Sequence, residues 1–179
     1  MALEHAILVS LTERSASGYD LARRFDASIG YFWPASHQQI YKVLARMQEA
    51  GWVEATTHVQ TGKPDKKTYA ITEAGHAELD RWAAEPTQRE AVRSDFAVKL
   101  RGFRDREAIV ADTKARRADH EQRLQAYLAS EARYYPDPSV LDGPDLGAWL
   151  ALRGGISTER HGIAWCDEIL SALEGRGPR

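Results

Sequence analysis

The chain has 179 residues, 43% of them hydrophobic and 28% charged, with a formal net charge of −2. That is enough chain for one large domain or two small ones of ordinary soluble composition. The near-zero charge excludes a protein that holds nucleic acid by a general cationic surface, so any such contact must come from local patches.

Cys166 is the single cysteine, which excludes an intramolecular disulfide and a CxxC pair. The first fifteen residues carry Glu4 and His5 and no basic stretch, so no signal peptide is expected. No apolar run approaches the roughly 18 residues of a membrane span. A cytoplasmic protein with no membrane partner is the expectation.

In chain order, Leu3, Ala6, Ile7, Ser10 and Leu11 set a helical stripe from about Ala2 to Glu13. Ser15-Ala16-Ser17-Gly18 reads as a turn. Tyr19 to Ala27 reads as a second helix with Leu21, Ala22 and Phe25 inward. Ser28 to Pro34 turns the chain, and Pro34 disfavours helix at Trp33.

The stretch from Ser36 to Trp52 predicts a third helix of about four turns. Ile40, Val43, Leu44 and Met47 fall at i, i+3, i+4 and i+7, the spacing of one buried face. Ser36 is placed as N-cap, Gln39 completes a capping box, and Gly51 stands where a helix ends. The other face carries Gln38, Tyr41, Lys42, Ala45 and Arg46.

Two short runs rich in β-branched and aromatic residues follow, Val53 to Gln60 and Lys67 to Ile71. Gly62, Pro64 and Asp65 mark a turn between them, and Lys63, Lys66 and Lys67 make its tip cationic. Helix, strand, basic loop, strand is the second half of a winged helix-turn-helix. Its helix can enter the major groove with Gln and Arg side chains at base edges, while loop lysines meet phosphates. Residues 1–84 hold 9 Lys/Arg against 10 Asp/Glu, which argues against tight non-specific binding but permits specific binding.

Thr72 caps a further helix to about Ala84, with Leu79 and Trp82 placed to pack. Glu85-Pro86-Thr87-Gln88 is the predicted boundary. A short helix spans about Ala91 to Arg101, with Phe96, Val98 and Leu100 apolar. A long one runs from Asp105 to Tyr135, its apolar residues mostly alanines (Ala108, Ala111, Ala115, Ala118) that allow close helix approach. The last helix runs from about Asp145 to Leu173. Trp149, Leu152, Ile156, Ile163, Cys166, Leu170 and Leu173 fit a 3,4 alternation, with Glu159 the polar exception. Gly154-Gly155 marks a kink or close packing. A pair this long and apolar predicts antiparallel self-association, which supplies two reading units for a palindromic site. The expected fold is therefore mostly α: a winged helix-turn-helix DNA-binding domain over residues 1–85 and a helical dimerisation domain over 86–179.

These residues resemble the PadR family of bacterial transcriptional regulators. Leu3 to Leu11, then Ser17-Gly18-Tyr19-Asp20-Leu21, are similar to its opening helix and second-helix entry. Ile40 to Met47 resembles its recognition helix. Gly51-Trp52-Val53 and Gly62-Lys63-Pro64-Asp65-Lys66-Lys67-Thr68-Tyr69-Ala70-Ile71-Thr72-Glu73-Ala74-Gly75 look like its wing. The resemblance covers residues 3–76, and the helical C-terminal half looks, more loosely, like the family's longer-tailed branch. It implies a homodimeric regulator of double-stranded DNA, usually a repressor, released by a small molecule or another signal. By position, Tyr41 and Lys63 to Lys67 would contact phosphates, and Ser36, His37, Gln38, Gln39 and Lys42 would lie nearest the groove. His37-Gln38-Gln39 and Lys42 depart from the family's common residues and leave the operator sequence open.

Other features have plainer readings. Tyr31, Phe32 and Trp33, with Trp52, Trp82 and Trp149, are candidates for an aromatic effector pocket, although aromatics are more often core. Cys166 and His161 share no metal-ligand spacing, and Cys166 fits the apolar seam. Arg23-Arg24 and Arg116-Arg117 read as solvated charge. No metal, cofactor or catalytic pattern is expected. The competing reading is a winged-helix dimer used as a protein-interaction scaffold, against which the basic wing tip counts. In the favoured mechanism the dimer sets two recognition helices roughly 34 Å apart, and a signal that rotates the halves weakens binding.

Overall fold

The computed structural model describes residues 2–27, 35–59, 66–87 and 93–174. The chain divides into two compact units, Met1–Glu90 and Ala91–Arg179. The predicted effector residues Tyr31, Phe32 and Trp33 and the wing residue Lys63 lie outside the described residues. Among those described, no helix is long and apolar enough to cross a membrane.

The first unit runs α1 (Ala2–Glu13), β1 (Ala16–Ser17), α2 (Gly18–Ala27), α3 (His37–Glu49), β2 (Val53–His58), β3 (Lys66–Ile71) and α4 (Glu73–Ala83). Its core joins Ile7, Leu8 and Leu11 of α1, Leu21, Ala22 and Phe25 of α2, and Ile40, Val43, Leu44 and Met47 of α3 with Val53 and Tyr69 of the sheet. Each fully buried Leu or Ile contributes about 1.5–3 kcal/mol by leaving water. The helical spacing read in α3 is the reason its buried residues meet the other two helices on one side only.

The residues read as a turn at 15–18 include a strand. Ala16 pairs with Tyr69 and Ser17 with Thr68, so β1 extends the wing to a three-stranded antiparallel sheet in the order β1-β3-β2. Two residues carry too little periodicity to read as a strand; pairing with β3 makes them one. Arg24, expected to be solvated, donates instead to the carbonyls of Ser10 and Arg14 at 3.1 Å and of Ser15 at 3.4 Å. It thereby satisfies acceptors that the end of α1 leaves open.

The α1–α4 contact is a stacked, charged one. The His5 ring lies flat on Trp82, with centroids 4.5 Å apart, and its Nε2 is 3.0 Å from Glu78 Oε1. Arg81 bonds both Glu78 oxygens, at 2.7 and 2.8 Å. Arg81 first, then His5, hold the Glu78 carboxyl down to about 2, against 4.5 for a free one. A carboxylate with a lowered folded pKa stabilises fully above its unfolded pKa and loses that contribution as pH falls through the folded one. Glu78→Gln is therefore expected to be less stable than wild type near neutrality, with the difference closing between pH 4.5 and about 2. Urea melts across that range check it; a gap that persists at the acid end would assign the loss to packing.

The second unit runs α5 (Asp95–Gly102), α6 (Arg106–Tyr134), a 3-10 turn (Pro138–Val140) and α7 (Gly143–Glu174). Helices α6 and α7 form an antiparallel pair, as their cross-bonds show. Arg106 donates to the Leu173 carbonyl, Arg117 to Asp167 at 2.6 Å, and both Trp149 and Arg153 reach Glu131 at 3.1 and 3.3 Å. Near the middle, the buried Glu159 lies 2.5 Å from His120 Nδ1 and 3.3 Å from Arg123. The polar exception in the α7 seam is thus a paired one. Gly155 lets the Tyr127 ring come close: a Cβ there would stand 3.1 Å from it.

Two expectations for this unit change. The α6 alanines at 108, 111, 115 and 118 are exposed, and Ile109, Thr113 and Tyr127 are the buried residues of that helix. Arg116 and Arg117 are engaged rather than simply solvated. Arg116 sits over the Phe96 ring at 4.3 Å and pairs with Asp112, while Arg117 pairs with Asp167 and Glu121.

Candidate nucleic-acid interface

The exposed face of α3 begins at a cap. Ser36 Oγ accepts from the Gln39 backbone N–H at 3.2 Å, and Gln39 Oε1 accepts from the Ser36 N–H at 2.8 Å. The predicted capping box is present, so these two groups hold the helix start in place. At the far end Gly51 adopts φ +74°, where a residue with a Cβ is strained, and the chain turns into β2.

Between these ends Ser36, His37, Gln38, Gln39, Tyr41, Lys42 and Arg46 are all exposed. They are not equivalent. Arg46 turns toward α1 and pairs with Glu4 at 2.7 Å. Tyr41 lays its ring across the start of α2, where a Cβ on Gly18 would stand 2.3 Å from it. Tyr41 thus packs on α2 while its residue stays exposed. The Tyr19 ring meets His37 edge-on at 6.3 Å. The side chains of Gln38 and Lys42 carry no hydrogen bond or ion pair among the described residues. By helical phase they point most directly away from the core.

Lys66 and Lys67 start β3, opposite His58 and Thr57. Lys66 pairs with Asp20 of α2 at 3.1 Å. Lys67 donates to Gln48 of α3 at 2.9 Å and lies 5.3 Å from the Tyr69 ring centre. The Ser17 hydroxyl bonds the Asp20 carboxylate at 2.7 Å, and this bond first, then Lys66, lowers the Asp20 pKa. These cross-element pairs are absent from the sequence reading. The partners in Arg46–Glu4, Lys67–Gln48 and Lys66–Asp20 stand 19 to 46 positions apart, and no local spacing signals them.

Trp52 and Trp82 flank His5 in the first unit, and Trp149 bonds Glu131 in the second. The proposed α7 seam divides. Ile156, Cys166 and Leu173 are buried within the chain itself, whereas Trp149, Leu152, Ile163 and Leu170 are half-buried. Burial also raises the Cys166 thiol pKa, which leaves it a core group.

A helix-turn-helix whose third helix presents an open polar face beside lysine-bearing strands defines a winged-helix transcriptional regulator. Residues 7–81 match the Transcriptional regulator PadR-like family, and residues 92–174 match Virulence activator alpha C-term. The probable transcriptional regulator Rv1176c of Mycobacterium tuberculosis is 50% identical, over 97% of this chain and 98% of that protein. The structure of Bacillus subtilis PadR in complex with operator DNA superposes with a TM-score of 0.83 at 27% identity, covering 97% of this chain and 99% of that one. The same protein has been solved with p-coumaric acid, with a TM-score of 0.78 at 25% identity over 97% of this chain and 99% of that one. The Vibrio cholerae virulence activator AphA gives 0.79 at 36% identity, over 97% of this chain and 98% of that one. The chain belongs to the PadR-like family of transcriptional regulators.

Proposed function

We propose that this regulator is a cytoplasmic, homodimeric repressor without catalytic activity. It binds a palindromic operator and is released by a small, aromatic effector. One observation carries the DNA reading: α3 keeps Gln38 and Lys42 open on its outer face, while the exposed wing lysines Lys66 and Lys67 reach the start of α2 and the end of α3. Gln38 is assigned to base edges. Lys42, Tyr41 and the strand lysines are assigned to phosphates. Arg46, Ser36 and Gln39 serve chiefly to hold the helix, given their bonds within the fold.

The relatives support this. Bacillus subtilis PadR is a negative regulator, and it has been solved both with operator DNA and with an aromatic acid. Dimerisation is assigned to the half-buried Trp149, Leu152, Ile163 and Leu170 of α7, with the exposed alanine side of α6 as a second open surface. A docking scaffold would need no lysines at the loop end of the wing, which disfavours that alternative.

The test is fluorescence anisotropy with DNA from upstream of the protein's own gene, across a salt series. Wild type should bind at nanomolar concentrations. Lys42→Ala should weaken all duplexes alike and reduce the salt slope by about 1, whereas Gln38→Ala should cost about 1–3 kcal/mol on the operator only. A random-sequence selection that enriches nothing would overturn the reading.

A further inference from the structure

The surface assigned to DNA contains a carboxylate. Asp20 stands in the first turn of α2, next to Tyr19 and two residues from the Gly18 that carries the Tyr41 ring. Its Oδ2 is 3.1 Å from Lys66 Nζ. The two side chains are 40% and 46% exposed, so the pair lies open on that surface. Asp20 is ionised at neutral pH, as any carboxyl with an ordinary or lowered pKa is. An anion here repels phosphate and also neutralises one of the lysines meant to meet it. The neighbouring Lys67 differs. Its partners are the amide of Gln48 and an aromatic ring, both uncharged, so its positive charge is not cancelled.

The capping bonds do not require the charge, which the dipole of α2 favours only modestly in its first turn. Ser17 Oγ accepts from the Asp20 backbone N–H at 3.1 Å, and that bond needs only the backbone. The Ser17 hydroxyl needs an oxygen acceptor on residue 20, which an asparagine also provides. A surface ion pair adds little to stability.

We infer that Asp20 is a specificity-determining residue: it occupies Lys66 so that the loop end of the wing engages phosphate only where operator contacts elsewhere hold the backbone close. This rests on the DNA-binding reading above. On unrelated DNA the pair stays closed and one phosphate contact is withheld. On the operator, base contacts from α3 hold the phosphate in place long enough for Lys66 to exchange partners. Removing the charge should therefore raise affinity for unrelated DNA more than for operator, and the ratio between them should fall.

The experiment uses the full chain as wild type, Asp20→Asn, Lys66→Ala and the double variant. Each is titrated by anisotropy against operator and an unrelated duplex of equal length over a salt series. Melting curves check that each variant folds. Asp20→Asn should bind unrelated DNA about fivefold more tightly, with a salt slope steeper by about 0.9, the value of one released counterion. In the Lys66→Ala background the same charge change should bring a clearly smaller gain, that of the lost repulsion alone, because the freed lysine is gone. Equal or weaker binding of unrelated DNA by Asp20→Asn would overturn the proposal, as would an undiminished gain without Lys66. Failure of every form, wild type included, to bind either duplex would sink this proposal and the DNA-binding reading together. Equal binding by wild type and Asp20→Asn would sink this proposal alone.

Discussion

A double variant Ile163→Asp, Leu170→Asp is expected to sediment as a monomer and to lose operator binding by about two to three orders of magnitude. The size follows from the proposed two-fold arrangement. When one half-site is bound, a dimer presents its second reading unit at high effective concentration, which adds roughly 10²–10⁴ to the affinity of one unit. Both side chains are half-buried in the chain by itself, so a carboxylate at either position still reaches water without the partner. Across a dimer interface the same charge would be desolvated and unpaired, which costs several kcal/mol. Ile156 is the informative contrast. It is fully buried inside its own chain, so Ile156→Asp should unfold the second unit rather than separate two intact copies. Sedimentation velocity and anisotropy on the same samples check this. A monomeric double variant that keeps wild-type affinity would refute the proposed two-fold mechanism.

The largest stability effect from a single methyl group is expected at Gly75. A Cβ there would stand 2.1 Å from the Trp52 carbonyl oxygen and 2.8 Å from Ile71 Cγ1. The obstacle at Trp52 is backbone, and the surrounding bonds fix it. Thr72 N–H donates to that same carbonyl at 3.1 Å, the Thr72 hydroxyl donates to the Gly51 carbonyl at 2.6 Å, and the Gly75 N–H returns to the Thr72 hydroxyl at 3.1 Å. The turn after α3 and the first turn of α4 are thus locked face to face. Gly75→Ala should cost about 3 kcal/mol, at the upper end of overpacking effects. In a unit of this size that lowers the melting temperature by more than about 10 °C. Gly147→Ala is the control: nothing lies within 4 Å of its Cβ position in α7. It should be neutral or stabilise by up to about 1 kcal/mol. Calorimetry that finds Gly75→Ala as stable as wild type would show that the α4 turn can shift, contrary to the bond pattern.

Gly75 also shows how sequence and structure divide the explanation. The Thr72-Glu73-Ala74-Gly75 pattern was legible as a helix start, because a cap depends on residues three positions apart. The need for glycine was not, since the obstructing oxygen belongs to Trp52, on the far side of the wing. The same contrast holds along α3. Its buried face, its capping box and its terminating glycine were all readable, each being set by spacing within one helix. That Arg46 turns to Glu4, and that Lys66 and Lys67 turn to Asp20 and Gln48, depended on where α1, α2 and the wing come to lie.

The long helices were readable as helices and misleading as faces. The α6 alanines suggested a contact stripe, yet the side against α7 is built from Ile109, Thr113 and Tyr127 interleaved with His120 and Glu131. A sequence pattern that counts polar residues as outward misses such a seam. Their polar groups are half-buried because Glu159, Trp149 and Arg153 complete them from the other helix. The amino-acid sequence alone therefore established the helices, their caps, the winged-helix order and the family resemblance, all carried by near neighbours along the chain. The pairing of charges, the short strand β1, and the split of the α7 seam into inward and open positions arose only when distant segments met. Their energies come from partners that sequence spacing does not reveal.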